Sequence, residues 1–105
     1  MIEHNGKKYY SIMELIDLIN DEGTQLHSVW KRYFPKYKNV VLLDQVSRIL
    51  GAAKKAKKID FLEYTKHPET FRKYYAYTIL DVINYITKEY GSVFNVKLNN
   101  KGENV

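Results

Sequence analysis

Apolar residues recur at helical spacing in four places along the chain. Ile12, Leu15, Ile16 and Ile19 stand at i, i+3, i+4 and i+7, and Met13 widens that stripe. Leu26, Val29, Trp30, Tyr33 and Phe34 make a second stripe; Leu42, Val46, Ile49, Leu50 and Ala53 make a third; Ile79, Val82, Ile83, Ile86 and Tyr90 make a fourth. This period predicts amphipathic helices, each laying one face on a shared core. Capping residues set their starts. Ser11 and Thr78 precede the first and last stripes, each with an acid three residues on, Glu14 and Asp81, as in a capping box. Thr24 and Asn39 are placed to cap the second and third. The helices expected are therefore 12–20, 25–34, 41–58 and 79–90. Gly23 and Gly91 suit left-handed C-caps, and Pro35 stops the second helix. Gly51 weakens the third by about 1 kcal/mol if it is interior. A break there would give a second two-helix candidate, but its later helix carries lysines where apolar anchors belong.

Between the helices, the tyrosine-rich stretches 7–10 and 71–77 read as short strands. Residues 59–64 read as helix continuation or a short helix, and His67-Pro68-Glu69 as a turn. Residues 1–8 read as a frayed arm turning at Asn5-Gly6, residues 93–98 as a final strand, and 99–105 as a disordered tail. Residues 1–98 then form one domain. Its two ends echo each other: Ser11, Ile12, Glu14, Ile16 and Ile19 match Thr78, Ile79, Asp81, Ile83 and Ile86. Two aromatic-strand-to-helix units bracket the chain.

Charge sharpens the picture. The formal net charge of +5 is uneven. Residues 25–58 carry nine basic side chains against Asp44 alone, whereas residues 1–24 are net acidic. A concentrated basic segment is the electrostatic footprint of a polyanion binder, double-stranded DNA first among them. The tight turn between the first two helices makes a helix-turn-helix candidate. In that motif the second helix presents its N-terminal side chains to base edges. Here those are Gln25, His27 and Ser28, with Lys31 and Arg32 placed for phosphate or guanine. Lys36 and Lys38 flank Tyr37 in a basic aromatic loop, which on single-stranded nucleic acid would stack bases. Lys54, Lys55, Lys57 and Lys58 form a block that either offsets a helix dipole or grips phosphates. Arg72 and Lys73 open the second aromatic strand.

No pattern for catalysis, a cofactor or a metal emerges. The chain has no glycine-rich phosphate loop and no nucleophile beside a base in a local motif. Glu63 and His67 stand at i, i+4 without a third ligand. Glu14, Asp17, Asp21 and Glu22 read as the solvated face of the first helix. The absence of cysteine excludes disulfides and fits a reducing cytoplasm. No apolar run of ~18 residues reaches membrane-spanning length, and no charged-then-apolar leader is visible at the start.

Tyr10-Ser11-Ile12-Met13-Glu14-Leu15, and again Tyr75-Ala76-Tyr77-Thr78-Ile79-Leu80-Asp81-Val82, resemble the helix starts of excisionase-type winged-helix proteins of phages and mobile elements. Val29-Trp30-Lys31-Arg32 is similar to their second-helix ending. The resemblance spans half the chain and departs in the middle, where residues 40–66 insert a helical segment. It implies a mainly α fold, a compact domain of four helices with a small β wing. It further implies DNA binding without catalysis, in recombination or transcriptional control. The rival reading is a phage-type accessory protein that modulates a host protein through its tyrosines or its acidic first helix. Homodimerisation stays open, since no heptad specifies it.

Overall fold

The computed structural model describes residues 1–35, 41 and 43–103, with side chains described as far as Gly91. In chain order these residues form β1 (Ile2–His4), β2 (Lys7–Ser11), α1 (Ile12–Ile19), α2 (Gln25–Tyr33), α3 (Leu43–Lys55), β3 (Leu62–Tyr64), β4 (Tyr74–Tyr77) and α4 (Ile79–Glu103). A single 3-10 turn, Pro68–Thr70, lies between β3 and β4. The strands form one curled antiparallel sheet in the order β1-β2-β4-β3. The expectation of a mainly α, winged-helix-like domain is therefore corrected: the fold is mixed α/β, with the sheet a full partner of the helices.

Three expected elements change with it. The supposed N-terminal arm is strand β1, folded onto β2 with His4 opposite Lys7. Asn5 and Gly6 have φ of 52° and 77°, the pair of positive angles that a two-residue hairpin turn demands. Residues 62–64, expected as helix, are strand β3, paired with β4 through Leu62–Ala76, Glu63–Tyr75 and Tyr64–Tyr74. Residues 93–98, expected as a strand, continue α4.

The two echoing units meet directly. Tyr10 pairs with Tyr77 and Ser11 with Ala76, so β2 and β4 run antiparallel side by side and each feeds a helix. At the first junction the capping box is complete: Ser11 Oγ accepts from the Glu14 N–H at 3.2 Å, and Glu14 Oε1 accepts from the Ser11 N–H at 3.0 Å. At the second, Thr78 Oγ1 accepts from the Asp81 N–H at 3.1 Å.

The helices close over one face of this pair. Leu15, Ile19, Leu26, Trp30, Val46, Leu50, Val82 and Ile86 are all buried, with Tyr77 from the sheet. Trp30 packs against Phe34 with the rings tilted at 45°, and Phe34 meets Tyr90 edge-on, each at 4.8 Å between centroids. Asn20 anchors the approach to α3: its Oδ1 accepts from the Val41 N–H at 2.8 Å and its Nδ2 donates to the Val41 carbonyl at 3.1 Å.

Neither glycine expected as a left-handed cap plays that role. Among the described glycines only Gly6 has positive φ. Gly91 lies within α4, where a Cβ would meet the Tyr33 hydroxyl at 3.4 Å. Its smallness lets α2 and α4 approach. The left-handed cap falls instead on Lys57, with φ of 59°. The Lys58 N–H donates to the Ala53 carbonyl at 2.9 Å and the Lys57 N–H to the Lys54 carbonyl at 3.0 Å, a Schellman ending of α3. Gly51 is interior to α3, so the helix does not break there.

Candidate nucleic-acid interface

The Schellman turn splits the lysine block. Lys54, in the last turn of α3, points toward the sheet, with Nζ 3.2 Å from the Tyr75 ring centroid and 5.7 Å from that of Phe61. Lys55 is exposed. The turn reverses the chain at Lys57 and sends Lys57 and Lys58 toward α4, where Lys58 pairs with Glu89 at 2.6 Å.

The β3–β4 hairpin supplies the other cations. Its loop, residues 65–73, is tied by the 3-10 turn. The Thr70 N–H and hydroxyl both donate to the His67 carbonyl, at 3.0 and 2.9 Å. Lys66 on one limb and Arg72 on the other lie 4.8 and 5.5 Å from the Tyr74 ring, whose centroid stands 5.7 Å from its cross-strand partner Tyr64. Lys73 pairs across the hairpin with Glu63 at 3.6 Å. These contacts organise the side chains without burying the charges, since Lys66, Arg72 and Lys73 remain exposed.

Between α3, the first turn of α1 and the hairpin runs a groove of about 420 Å³. Lys54, Lys66, Arg72 and Lys73 line it with Tyr64, Tyr74, Tyr75 and Tyr77, and its lining contains no carboxylate. Ser47 and Gly51 form its α3 wall, and Met13 and Leu43 contribute apolar surface. Burial pushes the Tyr77 phenol up to about 12, which keeps it neutral. Burial also raises Tyr64, with smaller contributions from Glu14 and Tyr74. A second hollow, about 610 Å³, lies between α4 and the turn after α3. There Lys57, Lys58 and Lys88 are matched by Asp60, Asp81 and Glu89, so it offers a polyanion no net attraction.

The α2 candidates lie elsewhere. Gln25, Ser28 and Arg32 are exposed on that helix, and none of its residues lines the groove. His27 is half-buried, its Nδ1 2.8 Å from the Ile19 carbonyl, so it fastens the α1–α2 turn. Lys31 is half-buried, and the Arg32 guanidinium lies 5.7 Å from the Tyr33 ring. Lys36 and Lys38, with Tyr37, fall outside the described residues. Glu63 and His67 share no helix: Glu63 is on β3, and His67 faces Glu69 at 3.8 Å. Among the described residues no group of three or more metal-ligating side chains comes together, and no helix is long and apolar enough to cross a membrane.

Tyr74, Tyr75 and Tyr77 stand out in the sequence as core or interface, whereas Lys66, Tyr64 and the α3 wall do not stand out as site residues. Their signal is a basic turn between two aromatic strands, recognisable only once 62–64 is known to be a strand. Comparisons with protein-family models, curated proteins and solved structures gave no match.

Proposed function

We propose that this chain is a small, non-catalytic DNA-binding protein that holds duplex DNA against α3 and the β3–β4 hairpin. One observation carries the reading. Four cations from three stretches of chain, Lys54, Lys66 and the adjacent Arg72 and Lys73, converge on one groove whose lining contains no carboxylate, with Lys73 shared with Glu63 on β3. Phosphate neutralisation with counterion release supplies most of the affinity in such a site. Ser47 and Gly51 leave the α3 surface low enough for close approach to the duplex. Lys55 is exposed on the same helix and extends the basic surface. The resemblance of the two capped helix starts to excisionase-type proteins favours a regulator or recombination accessory factor of a phage or mobile element, acting in the cytoplasm.

A gel-shift titration with a random duplex tests this. The paired substitution Lys54→Gln and Arg72→Gln is expected to weaken binding by roughly 25- to 100-fold, about five- to tenfold for each lost phosphate contact, whatever the sequence of the duplex. Unchanged affinity would remove the groove from the interface.

A second reading rests on Met13 and Leu43, which are 58% and 48% exposed at the groove's edge. An acidic, partly apolar segment of a host protein would meet both the cations and this apolar surface. Four tyrosines, Tyr64, Tyr74, Tyr75 and Tyr77, line this groove and would act through it. Capture of one protein from nuclease-treated lysate, lost on Met13→Glu, would favour this reading over DNA.

A further inference from the structure

Phe71 lies in the loop of the β3–β4 hairpin, directly after its 3-10 turn, with 85% of its surface exposed, the most exposed of the described large hydrophobic side chains. Its backbone is left-handed, φ 57°, a conformation that a bulky aromatic residue rarely adopts. The turn holding it there closes without help from the ring. The Phe71 N–H donates to the Pro68 carbonyl at 3.4 Å, and the Arg72 N–H donates to Thr70 Oγ1 at 3.4 Å. The ring is thus presented to solvent on a constrained loop. It is followed by Arg72 and Lys73, with Lys66 on the opposite limb.

We infer that Phe71 is an apolar wedge that enters a base-pair step of the bound duplex and kinks it. The inference rests on the DNA-binding reading and deepens it. An aromatic ring flanked by cations fits a polyanion whose interior is apolar and stacked, which is what a duplex offers at an opened step. Architectural proteins kink DNA with such inserted side chains, and the added wrapping offsets the unstacking. Flexible pyrimidine–purine steps are the cheapest to open. Phe71 would therefore prefer TA steps without hydrogen-bonding any base.

The test uses a set of short duplexes, each with 2-aminopurine at a different TA step, and a duplex end-labelled for energy transfer. Wild-type protein is expected to raise 2-aminopurine emission and to shorten the end-to-end distance. Phe71→Gly accommodates the left-handed backbone, so it should fold at least as well. It is expected to bind about tenfold more weakly, with unchanged salt dependence, no rise in emission and no bend. Phe71→Trp should retain both signals. Wild-type protein that binds without either signal, or a Phe71→Gly variant that keeps both, would overturn the wedge and leave phosphate binding standing. Wild-type protein that binds no duplex at low salt would overturn the DNA reading and the wedge together.

Discussion

The Lys54 ammonium nitrogen stands 3.2 Å from the centre of the Tyr75 ring, so the last turn of α3 and strand β4 meet through a cation–π contact. At a half-exposed site this contact is worth about 0.5–1 kcal/mol. Its consequence is positional: it holds one positive charge at the groove's wall opposite the hairpin's cations. Lys54→Gln is expected to lower duplex affinity by roughly five- to tenfold and to reduce the slope of log K against log salt by about 1. Trp30, the single tryptophan and fully buried, reports by its fluorescence that the variant is folded.

Lys58 carries the same charge four residues after Lys54, yet it pairs with Glu89 of α4 and lies outside the groove lining. Lys58→Ala should change duplex affinity by less than about twofold, as expected of a screened surface ion pair remote from the ligand. Arg32→Ala on α2 should behave likewise. A loss of the size seen for Lys54→Gln in either variant would move the interface to that side.

The local parts of the fold were legible in the sequence and the long-range parts were not. Ser11 and Glu14 announce α1 because a capping box is complete within four residues. Leu26, Trp30 and Phe34 announce α2 by their spacing alone. Strand β3 is three residues long, and its identity comes from pairing with Tyr74–Ala76, which sequence spacing does not record. The lysine block was visible as charge. Its division into a groove lysine and an α4-facing pair depends on the left-handed turn at Lys57, a conformation usually marked by glycine. Gly91 misled for the complementary reason, since it serves helix packing against Tyr33 and not a helix end.

That turn gives a stability prediction. Lys57→Gly should stabilise the fold by up to about 1 kcal/mol, because glycine enters the left-handed region without the side-chain penalty. Thermal unfolding should show a rise of about 4–8 °C per kcal/mol for a domain of this size. Gly51→Ala should act in the same direction by about 1 kcal/mol, since a Cβ there meets nothing within 4 Å. A lower melting temperature in either variant would contradict the helix ending or the interior placement of Gly51.

Acid should weaken the first capping box. Glu14 lies below its ordinary value of 4.5, chiefly through its hydrogen bond with the chain's terminal ammonium and then through the Ser11 N–H. Its folded-state value is depressed, so its contribution is complete above the unfolded value and is lost as pH falls through the folded one. The melting temperature of wild type should exceed that of Glu14→Gln near pH 6, and the gap should close below pH 4.5. An equal gap at acid and neutral pH would contradict the ionic part of the box.

Tyr77 gives the alkaline counterpart. Its value of about 12 exceeds the unfolded value of 10.0 because burial disfavours the phenolate. As pH rises above 10 the unfolded chain ionises first, and stability falls. Tyr77→Phe should lessen that alkaline loss, measured by denaturant melts at pH 9 and pH 11. Identical losses in the two proteins would place Tyr77 in contact with solvent.

The most direct measurement is fluorescence anisotropy of a labelled random duplex, the same sequence single-stranded, and heparin, titrated across a salt series. The three to four phosphate contacts proposed for the groove predict duplex binding tighter than single-strand binding, with a log–log salt slope of about −2.7 to −3.6 that flattens when Lys54 or Arg72 is replaced. No binding to duplex at low salt, with the protein folded by its Trp30 emission, would contradict the account and leave the groove to a protein partner.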